Sequence, residues 1–208
     1  MPQTLAVPVE DAHVAPANRK RFTRTECDFL ERTGVLTERY ELLNGEIIVN
    51  VGQNQPHAIC VMRVILWLAL VFGGDRILTQ APVEVAEADH AGNRPEPDVF
   101  VLEQPAAAYA QTPKGSDTRL VVEVADSTLR DDLQTKAALY ARAGVPEYWV
   151  VDVPSRRLIA HLAPGPQGYT DVAAYAENET VAAQAAPGRP VRVAELLPPV
   201  QPSPAAGA

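Results

Sequence analysis

Cysteine is scarce in this chain. Its 208 residues include two, Cys27 and Cys60, with no paired spacing, so neither a disulfide framework nor a cysteine zinc site is available. Basic residues are in the minority: 18 Lys and Arg stand against 26 Asp and Glu, for a net charge of −8. That balance argues against a general polyanion-binding surface, although it leaves room for a small basic site. Long apolar runs are missing as well. The best, residues 58–72, is short and broken by Arg63, so no membrane span is expected. The opening MPQTLAVPVEDAHV has no basic start followed by an apolar stretch. No secretory signal is expected there, and a soluble cytoplasmic protein is the default. There is no GxGxxG turn, no P-loop and no GxSxG elbow, which weakens nucleotide-cofactor and serine-hydrolase readings.

Proline is plentiful at 19 residues, but it crowds into the ends and a few loops. Residues 1–18 and 198–208 have the Pro/Ala/Gly composition of disordered tails. Between them, residues 19–197 form one expected domain, with enough apolar content for a single core. Thr23 and Glu26 have the spacing of a capping box, so a short helix is predicted to follow and to end near Gly34. YELLNGEIIVNV reads as a hairpin around Asn44-Gly45. Residues 57–72 are apolar on nearly every side, which predicts a buried helix stopped by Gly73-Gly74. RILTQ, PVEVA and DVFVL read as short strands, and LVVEV at 120–124 as a central strand buried on both faces. Asp126-Ser127-Thr128 precede a helical pattern that runs to Gly144. EYWVVDV is a second central strand, and RRLIAHL with YTDVAAY a closing antiparallel pair. The order predicts an α/β fold: a mixed central sheet flanked by helices, with an added hairpin region.

Acidic residues are unevenly spread. Residues 41–103 hold nine acidic and three basic side chains, whereas 104–157 hold seven of each. Asp98 follows Pro97 at a strand start, and Glu123 lies inside the apolar LVVEV strand, where a carboxylate is costly unless paired. If those strands are neighbours, the two carboxylates meet at one edge of the sheet, which raises a pKa or recruits a cation. An all-oxygen site suits Mg²⁺ or Mn²⁺ better than zinc. Leu129, Leu133, Ala137 and Tyr140 follow helical spacing and are expected to face the sheet. Lys136 borders that stripe, with Asp132 one turn earlier. Each residue also has a plainer reading. Asp98 can simply start a strand, Glu123 can be a buried acid with a structural partner, and Lys136 with Asp132 can be a surface pair. His57 reads as a helix-start polar residue, and Trp67, Tyr140, Tyr148 and Trp149 as packing aromatics.

YELLNGEIIV, PEPDVFVL, LVVEVADST and RDDLQTKAALYARAGVPEYWVVD, in that order, resemble the Uma-type restriction-endonuclease family of the PD-(D/E)xK nuclease superfamily. The resemblance runs from about residue 23 to residue 197. It implies a restriction-endonuclease-like core whose acidic residues face a divalent metal. Pro97-Asp98 matches the PD and Glu123 the (D/E). The usual lysine is absent, because Val124-Ala125 stands at the xK position, and the resemblance implies that Lys136 on the following helix replaces it, with Tyr140 one turn on. Glu46 matches an upstream acid and is an additional candidate metal ligand; Glu41 is the weaker choice, since it can equally point to solvent.

The implied activity is Mg²⁺- or Mn²⁺-dependent hydrolysis of DNA, by a homodimer if both strands are cut. Asp98, Glu123 and Lys136 are the expected catalytic residues, and Asp98, Glu123 and Glu46 the expected metal ligands. The alternative is a catalytically silent nuclease-fold protein that binds nucleic acid or a protein partner. The net charge favours it, since non-specific DNA affinity comes largely from basic contacts. Candidate contacts are Arg19, Lys20, Arg21, Arg24, Arg119, Arg130, Arg142, Arg156 and Arg157. A small-molecule metal hydrolase is a third reading, with no support beyond the acidic site.

Overall fold

The computed structural model describes residues 3–4, 19–49 and 54–200. The expected disordered tails therefore lie outside the described residues, apart from residues 3–4 and 198–200. The chain builds β1 (Gln3–Thr4), α1 (Arg24–Arg32), the hairpin β2 (Tyr40–Leu43) and β3 (Glu46–Val49), α2 (Gln55–Phe72), and β4 (Ile77–Leu78). Then come β5 (Val99–Leu102), β6 (Thr118–Ala125), α3 (Leu129–Asp131), a π turn (Asp132–Lys136) and α4 (Ala137–Arg142). The remainder is β7 (Glu147–Asp152), β8 (Arg157–Gly165), β9 (Gly168–Ala176), β10 (Thr180–Val181), β11 (Val191–Arg192) and α5 (Val193–Leu196).

The main sheet runs β1-β9-β8-β7-β6-β5-β4. Only β6 and β7 pair in parallel; the other neighbours are antiparallel. The expected mixed sheet with flanking helices is present. Its two central strands have every residue buried but one, Arg119, as a sheet covered on both faces requires. Strand alternation sorts the side chains. Val99, Val101, Leu120, Val122, Val124 and Trp149 pack toward α2 and α5, whereas Phe100, Leu102, Val121, Ala125, Tyr148 and Val150 pack toward α4. Alternation along β6 therefore puts Glu123 on the α4 side, among apolar neighbours.

α1 begins with the expected capping box between Thr23 and Glu26. The hairpin turns at Asn44 and Gly45, both with positive φ (50° and 76°), as a primed turn requires. A Cβ at Gly45 would stand 2.9 Å from that of Arg21, because the turn is held on two sides. Phe22 donates its backbone N–H to Gly45, and Gly45 donates to Gly92, both at 2.8 Å. The hairpin is thus a small separate sheet docked on the 92–96 segment, with Tyr40 and Leu42 packed on Cys27 of α1.

Two expectations about helices change. α2 buries Cys60, Val61, Val64 and Leu68 against the sheet, but Met62, Leu66 and Leu70 are 50–72% exposed. Its apolar residues exceed what one packed face accommodates, so it is not a helix buried on all sides. By length and composition alone it is apolar enough to cross a membrane; in this fold it lies along the sheet. The helix after β6 is interrupted by the π turn. The extra residue rotates the stripe, so that Leu133 is only partly buried while Asp132 and Lys136 turn inward. PVEVA forms no strand, only a bridge between Glu84 and Lys114.

Glu147 pins the end of β7 to the 182–184 segment. Its carboxylate accepts from Trp149 Nε1 and from the Gln184 backbone N–H, each at 2.7 Å. Burial pushes this acid up to about 7, against the pull of both hydrogen bonds. An acid raised on folding contributes stability below its unfolded pKa and loses it as pH rises through its folded one. Thermal melts at pH 5 and pH 8 should therefore show a smaller fall in Tm with pH for Glu147→Gln than for the parent chain; an unchanged fall would remove Glu147 as a source of the dependence.

Candidate active site

The antiparallel register of β5 and β6 pairs Val99 with Val122, which sets Asp98, just before β5, opposite Glu123. The Asp98 backbone N–H points at Glu123 Oε2 at 3.4 Å, and Asp98 Oδ2 accepts from the Val124 N–H at 2.9 Å. Glu123 Oε1 takes two donors from the following helix, Lys136 Nζ and Tyr140 Oη, both at 3.0 Å. Those two residues are four apart and share one face of the helix. With both donors on Oε1, Oε2 is the oxygen turned toward Asp98.

Lys136 is buried and meets three carboxylates. Besides Glu123, its Nζ lies 2.9 Å from Glu41 Oε2 and 3.6 Å from Asp132 Oδ1. Glu41 is fixed in turn by the Glu96 backbone N–H, which donates to Oε1 at 2.6 Å. Asp132 Oδ2 accepts from the Thr128 hydroxyl at 2.6 Å, and its Oδ1 is buried with no hydrogen-bond partner. One ammonium cannot neutralise three acids. Burial alone would lower Lys136, but Glu123, Glu41 and Asp132 together hold it well above the ordinary lysine range. Burial pushes Glu123 well up, Lys136 draws it back only in part, and Asp132, Asp98 and Glu41 add to the rise. Asp132 is likewise raised by burial, against Lys136 and the Thr128 hydrogen bond. Lys136 is thus held protonated among carboxyls whose burial and mutual repulsion favour their neutral forms, a repulsion that a further cation would relieve.

The structure brings Asp98, Glu123 and Lys136 together and leaves Glu46 apart. Glu46 sits beside the hairpin turn, exposed, and pairs with Arg21 at 3.1 Å and Arg19 at 3.9 Å. The hairpin delivers Glu41 instead, two residues along the strand from the Leu43–Glu46 pair. The signal for Glu41 was in the sequence: a carboxylate inside YELL carries the same desolvation penalty as one inside LVVEV. His57 is a second addition. It stands in the first turn of α2 with Nε2 3.4 Å from Asp98 Oδ2. Burial pulls the imidazole down, but Asp98, a hydrogen bond to the Val124 backbone and Asp126 together raise it.

Among the described residues no three His, Cys, Asp or Glu side chains form a ready-made metal cage. The donor set of Asp98 and Glu123 is all oxygen and carries two carboxylates, which fits a hard divalent ion of the Mg²⁺ kind. Such an ion keeps several waters and commonly takes only one or two carboxylates from the protein.

Residues 28–194 match the model of the Uma2 family, described as "Putative restriction endonuclease". No curated protein matches the sequence significantly. Among solved structures, a "putative nuclease belonging to DUF820" from Anabaena variabilis superposes with a TM-score of 0.59 at 13% identity, covering 80% of this chain and 96% of that one. At that identity the likeness is one of fold.

Removing the ammonium would strand three buried acids. Lys136→Met should cost about 3–5 kcal/mol at pH 8, the range for breaking a buried ion pair from one side. The loss should shrink toward pH 5 as the raised carboxyls take up protons. Urea unfolding at both pH values checks this, and a loss independent of pH would contradict the charge cluster.

Proposed function

The chain belongs to the Uma2 family, and from that premise we propose that it is an endonuclease that hydrolyses DNA phosphodiester bonds with Mg²⁺ or Mn²⁺. The observation that carries the reading is the convergence of Asp98 and Glu123 from paired strands with Lys136 from the next helix. Asp98 and Glu123 would hold the ion. Bound there, a divalent cation lowers the pKa of a bound water and offsets charge on the phosphate oxygens. Lys136, kept protonated by its acidic neighbours, serves as a fixed positive charge and donor to the attacking water or the developing oxyanion. It is not a general base. Tyr140 and Lys136 orient Glu123, while Val124 orients Asp98. Cutting both strands of a duplex would pair two such sites, in a homodimer.

One observation favours the alternative, a silent nuclease-fold binding protein. The basic residues considered for DNA contact are engaged within the chain. Arg19 and Arg21 meet Glu46, Lys20 meets Glu26, Arg24 meets Glu84, Arg119 meets Glu103, and Arg142 meets Asp89. Arg156 meets Glu177 and Arg157 meets Asp152. Most of these pairs are partly solvent-exposed, where a pair is worth about 0–1 kcal/mol, so a phosphate could displace the carboxylate at little cost.

The test is cleavage of plasmid and single-stranded DNA with Mg²⁺ or Mn²⁺. Cutting should depend on the metal, vanish in Asp98→Ala, and persist in Glu46→Ala. Cutting that survives Asp98→Ala would overturn the site. A folded, Mn²⁺-binding chain that does not cut would favour the binding protein.

A further inference from the structure

The first turn of α2 stands against the strand end that carries Asp98. Asn54 caps the helix by accepting the His57 backbone N–H at 3.0 Å. Its side-chain amide also donates to Asp126, in the turn after β6. The start of the helix is thus tied to the turn that follows Glu123 and Val124, and His57 cannot shift without breaking that tie.

The His57 ring lies against Asp98. Nδ1 is buried and has no hydrogen-bond partner. Nε2 is the atom 3.4 Å from Asp98 Oδ2, the same oxygen that accepts the Val124 N–H at 2.9 Å. The Val124 N–H of β6 and the His57 ring of α2 thus meet one carboxylate oxygen. The two contacts reach that oxygen from different elements of the fold.

We propose that His57 is a positioning residue for Asp98: with the Val124 N–H it fixes one carboxylate oxygen and so presents the group to a divalent ion in a single orientation. The inference rests on the reading of Asp98 as a metal ligand. Its role is to lower the cost of ordering that ligand when the ion binds, as outer hydrogen bonds do at other carboxylate sites.

The test is calorimetric titration of the full chain with Mn²⁺, without DNA, for the parent chain, His57→Leu, His57→Gln and Asp98→Ala. Leu fills the space of the ring without a donor, while the Gln amide supplies a donor near the position of Nε2 and carries no charge at any pH. His57→Leu should weaken Mn²⁺ binding by about 10–100-fold, and His57→Gln should recover most of that loss. Thermal midpoints of the metal-free variants should stay together, which separates positioning from mere packing. Equal affinity of the Leu variant and the parent, or equal weakening by Leu and Gln, would overturn the role of His57 while Asp98→Ala still lost the ion. Parent-like Mn²⁺ binding by Asp98→Ala would instead overturn the metal-ligand reading on which the inference stands.

Discussion

A single buried ammonium ties three elements of this molecule together. Lys136 joins β6 through Glu123, the separate hairpin through Glu41, and its own helix through Asp132. Each carboxylate would be expensive to bury alone, and the lysine would be expensive to bury without them. The four groups therefore make sense only as a set. The set is also unbalanced, and that imbalance separates it from an ordinary structural ion pair. Three carboxyls share one ammonium, and Glu123 and Asp132 are left raised beside Asp98.

The elements around the cluster follow from local rules with different degrees of transparency. The capping box at Thr23, the Asn44-Gly45 turn and the apolar β6 and β7 strands are set by short-range chemistry and were readable as sequence. Glu123 was readable for a related reason, since a carboxylate inside an unbroken apolar strand has to be paired or used. Glu41 offered the same signal in a shorter strand, and the choice between it and Glu46 depended on where the hairpin docks. That is decided by residues 92–96, about fifty residues away in sequence. The role of His57 was hidden for the same reason, because its partner lies on another element.

The π turn was the least legible feature. Nothing in the composition of residues 129–142 announces an extra residue in the helix, and a regular 3.6-residue period places Leu133 rather than Asp132 on the buried side. The turn is settled by what the helix meets. Inserting one residue rotates Asp132 and Lys136 into a space lined by Glu41 and Glu123, and turns an apolar residue partly outward. Rare helical geometry often marks a functional site, and here it brings Lys136 to Glu123.

The docked hairpin has a consequence for how the molecule comes into being. β2 and β3 pair with each other in a sheet of their own; β2 is bridged to Arg94 through Leu42, their turn rests on Gly92, and Glu41 takes the Glu96 N–H 55 residues further on. Local closure of the hairpin is fast, on the order of microseconds, but its attachment waits for contacts across a long stretch of chain, which form late for entropic reasons. During synthesis the hairpin emerges well before the helix that carries Lys136. Glu41 then stays hydrated, at no desolvation cost, until the lysine is there to meet it.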